Sequence, residues 1–389
     1  MAYRLALCIE YPIRAHGGTE VLVRALIRGL APTMGVVLVS HDDTAELKET
    51  EIGGLLHAHI HWNPEHHERF DIQSLVEKLK AQKVDLAHFH FGGNYGWNNR
   101  RINGCPLLAV AQAGIPCVTT NHGVFALLDG YCADVRPIWM KLLLLPMAWL
   151  AKMQTLWHTR REIAVSMHDL RNLQNWYRPF AGKFGLIYHS QLNALEVRSK
   201  NVVREKTVIC VGTIGHRKGQ AILARAFGQV ASHFPEWRLI LAGKKAVASL
   251  VAEIEQVQSQ PGMNGRIEMV ENLSDEAITH LLQTSSIFAM PSLREGLGLS
   301  LQEALWHGCP AIGSRVGGIP ELIDHESNGL LVPPGDESAL ASGLTRLMSD
   351  ESIRTRMGNS GQNSILQKGM TSQAMLSQYR ALYSDVLAV

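Results

Sequence analysis

PSLREGLGLSLQEALWHGCP, residues 291–310, carries the reading of the whole chain. An apolar run ends at Met290, a short polar loop follows, and a helical pattern begins near Leu299. Gly308 and Pro310 then supply a helix stop. The segment is therefore read as strand, loop and helix. Gly296 and Gly298 let the backbone approach a ligand closely. The amides of Gly296, Leu297, Gly298 and Leu299, with the helix N-terminus behind them, suit a diphosphate. Glu295 stands before the helix and Glu303 about one turn inside it. Two carboxylates are odd at a site for phosphate alone. They make sense if the phosphate carries a sugar on each side, because carboxylates accept hydrogen bonds from hydroxyls. Taken alone, the segment is also compatible with an ordinary strand-loop-helix bearing a favourable early Glu.

Outward from this segment the same alternation repeats. Apolar runs at 5–8, 36–39, 86–89, 117–120, 163–166 and 185–188 read as buried strands of the first half. Those at 208–211, 239–242, 267–270, 287–290 and 311–313 do the same in the second. Helical patterns separate most of them, for example at 20–30, 221–233, 275–283 and 299–307. Buried strands alternating with helices predict parallel sheets covered on both faces. The pattern fades over the polar stretch 190–205, where the interdomain linker is placed. The expected fold is α/β, with two Rossmann-like doubly wound parallel-sheet domains. The first spans 1–195 and recovers the C-terminal helix, 369–389, which crosses back to it. The second spans 196–368.

Length and composition agree. A chain of 389 residues exceeds one ordinary hydrophobic core. With 46% hydrophobic and 19% charged residues it is not a disordered chain. Lys plus Arg number 37 against 35 Asp plus Glu, a balance that does not predict a nucleic-acid partner. Cys8, Cys105, Cys117, Cys132, Cys210 and Cys309 are scattered, without a CxxC pair or zinc spacing. They read as reduced, mostly buried thiols of a cytoplasmic protein. The N-terminus lacks the apolar core and cleavage site of a signal peptide and reads as a first strand. The apolar stretch 142–150 is too short to span a bilayer.

Glu295, seven intervening residues and Glu303, in that setting, resemble the signature of retaining glycosyltransferases of family 4. That family has the GT-B fold, two Rossmann-like domains facing each other across a cleft. Further motifs follow in the family's order across nearly the whole chain. They are HGGTE (16–20), VDLAHFH (84–90), TTNHG (119–123), GTIGHRKG (212–219), VGGIPELI (316–323) and NGLLVPPGD (328–336).

The resemblance implies Glu295 on the donor sugar, Glu303 on the ribose and Lys218 on the diphosphate. It also implies that His122 lines the acceptor side. An ammonium neutralises phosphate as a point charge, so no metal or other cofactor is expected. The nearest acidic pair, Asp42–Asp43, reads as a solvated loop. Arg217 adjoins Lys218, and Gly212 and Thr213 open the same loop. Gly17 and Gly18 form a tight turn whose amides also face substrate. His122 follows a parallel strand, where ligands bind in such sheets. The expected catalytic residues are Glu295, Lys218, His122 and Arg217. The expected donor-binding residues are Gly17, Gly18, Gly212, Thr213, Lys218, Gly296, Leu297, Gly298, Leu299 and Glu303. The chain departs from the family pattern at Thr213, where Arg is frequent, and at His189–Ser190, where Asn-Gly is usual.

Other residues have plainer readings. His88 and His90 alternate with apolar neighbours on a strand and read as at least half structural. His57, His59, His61, His66 and His67 cluster without a cysteine or convergent carboxylates. That favours a strand edge and surface loop over a metal site. The stretch 138–161 combines apolar bulk, Trp139, Trp149 and Trp157 with Lys141, Lys152, Arg160 and Arg161. One reading is peripheral contact with a membrane surface, which would admit a lipid-linked acceptor. The other is helices packed on the sheet with the cations snorkelling.

The function implied by the resemblance is a metal-independent hexosyltransferase. It would move a sugar from a UDP-sugar or GDP-mannose to a hydroxyl of a glycan, lipid-linked or small-molecule acceptor, with retention. The expected location is cytoplasmic, with the membrane reading adding the inner face of the membrane. Alternatives of the same fold are a sugar-nucleotide epimerase and an inactive nucleotide-sugar-binding protein. A phosphorylase is opposed by the small size and the lack of a cofactor-lysine motif. A nicotinamide dehydrogenase would need GxGxxG, a spacing that GTIGHRKG does not supply.

Overall fold

A computed structural model describes residues 3–14, 17–63, 69–98, 101–124, 127, 138–192 and 203–388. His16, His66, His67, Cys132 and most of the 190–205 stretch lie outside them. The chain divides into two compact units, Met1–Gln191 with Ser372–Val389, and Leu192–Thr371.

In the first unit, seven strands pair in parallel in the order β3-β2-β1-β4-β5-β6-β7. They are β1 (Arg4–Ile9), β2 (Gly35–Ser40), β3 (Ala58–His61), β4 (Leu86–Phe91), β5 (Cys117–Asn121), β6 (Thr159–Ala164) and β7 (Phe184–Leu186). Side chains alternate between two apolar layers, which is why the strands read as near-continuous apolar runs. Leu5, Leu7 and Ile9 pack with the helix Gly18–Leu30 and with Met375, Tyr379 and Tyr383 of the helix Ser372–Ala388. Ala6, Cys8, Phe89 and Phe91 face the other layer. The register pairs Leu7 with His88 and Ile9 with His90. Both histidines therefore lie on the face covered by the C-terminal helix.

In the second unit, six strands pair in parallel in the order β10-β9-β8-β11-β12-β13. They are β8 (Glu205–Val211), β9 (Arg238–Ala242), β10 (Ile267–Val270), β11 (Ser285–Met290), β12 (Ala311–Ser314) and β13 (Gly329–Val332). Each sheet reverses its winding direction once, between β1 and β4 and between β8 and β11. In open parallel sheets ligands bind beyond the carboxyl ends of the strands at such switch points.

Four differences from the sequence reading have physical causes. β3 and β13 are additional strands of only four residues each, too short to stand out by periodicity. β6 begins at Thr159 because the helix Ile138–His158 ends directly before it. Ser166, read as strand, instead caps the next helix, its hydroxyl accepting from the Asp169 amide at 3.1 Å. Asp42 is no solvated loop residue. It is buried and accepts from the Ile13 amide at 2.7 Å and the Ser40 hydroxyl at 2.6 Å. Its neighbour Asp43 caps the helix Thr44–Lys48.

Lys152 also corrects the sequence reading. It does not snorkel outward but lies fully buried, its ammonium 2.7 and 2.8 Å from the two carboxylate oxygens of buried Glu162. Thr119 donates to the same carboxylate at 3.1 Å. The aromatic face of Phe91 lies 5.0 Å from the ammonium. A buried charge requires such a partner, and β6 supplies it. His59 bonds to Ser40 and Thr44, and His61 to the Asp42 carbonyl, so both serve the β3 edge. The described cysteines are free and buried. No described helix is long and apolar enough to cross a membrane.

Candidate active site

In the second unit, the loops after β8 and β11 meet at the switch point. The β8 loop carries Gly212, Thr213, Arg217 and Lys218, and the β11 loop carries Glu295. β8 and β11 are direct neighbours, with Ile209 opposite Phe288. Pairing thus unites residues 77 positions apart: the Lys218 ammonium donates to Glu295 Oε2 at 2.6 Å. Arg217, about half exposed, lies 3.7 Å from Glu295 Oε1. The Leu293 amide donates to the Arg217 carbonyl at 2.8 Å, joining the loops through backbone as well.

Two glycines make the β11 loop possible. Gly298 adopts the left-handed region, φ +98°, and starts the helix Leu299–Trp306. Gly317, at φ +52°, passes so close to the Glu295 carbonyl that a β-carbon there would lie 1.7 Å from the oxygen. No side chain fits at that distance. The Gly318 amide then donates to the Gly296 carbonyl at 2.8 Å. The VGGIPELI segment is therefore the clamp on the Glu295 loop.

Glu295 is nearly inaccessible to water. Burial acts to raise its pKa, but Lys218, Arg217 and the Gly296 amide together outweigh burial and hold it below the ordinary carboxylate range. Glu303 behaves oppositely. Burial first, and the Asp275 carboxylate second, push it up to about 8. A neutral Glu303 near pH 7 holds a proton that the unfolded chain releases. The sign follows: stability from this group is present below about 4.5 and lost as pH rises through about 8. Glu303→Gln should flatten the fall in urea midpoint between pH 5 and 8. An unchanged pH slope would contradict the assignment.

Thr213 is exposed. Its carbonyl and that of Gly212 each accept at 3.0 Å from Gln220, a buried residue that braces the turn. Ser292 also donates to Glu295 at 3.4 Å. Sequence reasoning passed over Gln220 and Ser292. Polar residues flanking a glycine or a Pro-Ser turn gave no periodic signal, although both sit directly beside the motifs.

Gly17, Gly18 and His122 belong to the first unit. Gly17 caps the helix Gly18–Leu30. A β-carbon there would fall 2.2 Å from the carboxylate of Glu20, which is buried against the turn. His122 follows β5 and enters a chain of buried polar groups. His90 Nδ1 and His122 Nε2 are 3.0 Å apart, and the His122 and His189 rings are 5.2 Å apart. His189 bonds to Tyr379 at 2.7 Å, Tyr379 to Thr120 at 2.9 Å, Thr120 to His88 at 2.8 Å, and His88 to Tyr383 at 2.7 Å. His90 Nε2 is buried without a hydrogen-bond partner among the described residues. Burial pushes His122 down to about 3, and burial with the neighbouring His122 does the same to His88. His90 and His189 are lowered for the same reasons. His122 is therefore a neutral imidazole at physiological pH, able to donate and accept one hydrogen bond each but carrying no charge.

Two family models cover most of the chain. Residues 16–189 match "Glycosyltransferase Family 4" and residues 194–364 match "Glycosyl transferases group 1". The chain belongs to glycosyltransferase family 4. Its two units have the GT-B fold. The solved sucrose-phosphate synthase of Thermosynechococcus elongatus is similar with a TM-score of 0.77 at 20% identity, over 99% of each chain. The Anabaena protein HepE, solved with UDP and glucose, is similar with a TM-score of 0.75 at 18% identity, over 98% of this chain and 99% of its own. In sequence, the N-acetyl-α-D-glucosaminyl L-malate synthase of Bacillus anthracis is 32% identical over 159 residues. That match spans 38% of this chain and 42% of the relative's length.

Proposed function

We propose that this family 4 protein transfers a hexosyl group from a UDP-sugar or GDP-mannose to an acceptor hydroxyl, with retention and without a metal ion. The second unit would bind the donor and the first the acceptor, a glycan, a lipid-linked glycan or a small molecule. The observation that carries the reading is the Lys218–Glu295 pair at 2.6 Å, with Glu295 buried and Lys218 partly exposed, at the β8/β11 switch point beside a helix N-terminus. A cation at that position neutralises a diphosphate, and the carboxylate it holds receives sugar hydroxyls. In the reaction the bond from the sugar C1 to the β-phosphate oxygen breaks, and a bond from C1 to the acceptor oxygen forms on the same face. The acceptor proton passes to a phosphate oxygen of the leaving nucleoside diphosphate. Lys218, Arg217 and the amides after Glu295 stabilise the charge that develops there. Glu303 would hold the ribose, and neutral His122 would line the acceptor side. HepE, solved with UDP and glucose, supports a nucleotide of this class by analogy of fold.

A thermal-shift panel tests the donor site. UDP or GDP should raise the melting temperature, because a ligand that binds only the folded state stabilises it. Glu303→Gln should weaken UDP or GDP binding roughly two- to tenfold, the effect of disturbing one neutral hydrogen bond to a buried hydroxyl. Glu295→Gln should leave nucleotide binding in place and mainly lower kcat with the sugar donor. If saturating UDP, GDP and ADP all leave the melting curve unmoved, the reading is wrong. If only Glu295→Gln abolishes nucleotide binding, the two carboxylates have the reverse roles.

A further inference from the structure

We propose that the helix Ile138–His158 docks the first unit on an anionic bilayer surface. Trp139, Leu142, Leu143, Met147, Leu150 and Trp157 would enter the boundary between headgroups and acyl chains. All six side chains are exposed, Leu143 at 72% and Trp157 at 73%. Their spacing of mostly three or four residues places them in one row on one helix face. Gln154, the polar member of that row, is tied to the Asn103 amide at 2.9 Å.

The opposite face is the unusual one. Ala148, Ala151, Lys152 and Thr155 are buried against the sheet, with Lys152 in its ion pair to Glu162. The helix therefore turns Lys152 inward and Trp139, Leu142, Leu143, Leu150 and Trp157 outward. Core packing explains the inner face but gives the outer one no cover among the described residues. An exposed apolar row of this extent marks a contact surface.

Charge selects the occupant. From residue 135 to residue 161 there is no Asp or Glu, whereas Lys141, Arg160 and Arg161 lie within it. Arg160 is exposed, whereas Arg161 is held by Asp385 at 3.8 Å and by the Gly182 carbonyl at 2.7 Å. The exposed Arg160, just beyond Trp157 at the helix end, suits anionic headgroups, and tryptophans near both ends suit the interfacial layer. The helix is not a membrane span. Its inner face packs on the sheet with Lys152 buried, so the helix lies in the plane of the surface. Docking does not depend on the proposed transferase activity, because lipid binding is read without donor or acceptor.

The test is flotation of the full chain with vesicles of equal phosphatidylglycerol and phosphatidylcholine at low salt. The wild type should float, and less so with phosphatidylcholine alone or at raised salt. Trp139→Ser combined with Leu143→Ser should reduce vesicle partitioning roughly tenfold or more at an unchanged melting temperature. Arg160→Gln should weaken flotation with anionic vesicles only. A wild type that stays unbound overturns the proposal, as does a double variant that floats like the wild type. Lipid-free dimerisation that the double variant abolishes, with no flotation by either, would assign the face to a second copy instead.

Discussion

Replacing Lys218 with alanine should lower kcat/KM for glycosyl transfer by roughly two to three orders of magnitude, the usual cost of removing one preorganised stabiliser of developing charge. The fold itself holds Lys218 in place. Its ammonium sits 2.6 Å from Glu295, on a loop braced by Gln220 and bonded to the β11 loop. Little reorganisation is then needed when the diphosphate begins to leave. The effect should fall on kcat as well as KM, because the negative charge on the leaving group is larger in the transition state than in the bound donor. Release of nucleoside diphosphate, followed with sugar donor and acceptor, measures it. The same assay in excess chelator should run at the uninhibited rate. A Lys218→Ala enzyme within tenfold of the wild type would remove Lys218 from the mechanism. Activity lost in chelator and restored by Mg²⁺ or Mn²⁺ would show that a metal shares its role.

Lys152→Met should destabilise the first unit by about 3–5 kcal/mol, because it leaves a buried carboxylate without its cation. Both partners are fully buried, and among the described residues only Thr119 also donates a side-chain hydrogen bond to Glu162. Adding Glu162→Leu to Lys152→Met should restore most of the loss, since a buried ion pair replaced by apolar residues is often near neutral. Urea unfolding of the two variants at neutral pH decides the matter. A loss below about 1 kcal/mol in the single variant would mean that water or another donor reaches Glu162. The prediction also separates stability from lipid binding. A charge change at Lys152 would act through folding, whereas changes at Trp139 and Leu143 act on an exposed surface.

The alternation of apolar runs and helical patterns was enough to predict two parallel-sheet units. Strands buried on both faces leave a local signature, and β4 and β11 are buried at every position. The turn at 296–298 was legible because glycine marks backbone that other residues cannot adopt, as at Gly298, whereas Gly317 was reached only through the resemblance of its segment. β3 and β13 escaped because four residues carry too little pattern.

What the sequence by itself determined is the α/β class, the two-unit organisation and the residue types at the candidate donor site. Tertiary structure alone decided which of those residues touch. Lys218 and Glu295 are distant in the chain and meet because β8 and β11 are neighbours in the sheet. The polar network around His122 exists because Tyr379 and Tyr383 return from the C-terminus to cover β4. The helix Ile138–His158 is the sharpest case. Its sequence is apolar nearly all round, so periodicity could not say which face is buried. Lys152 pairs with Glu162 on β6, Ala148, Ala151 and Leu156 are buried on the same side, and these contacts together leave the tryptophan and leucine row outside.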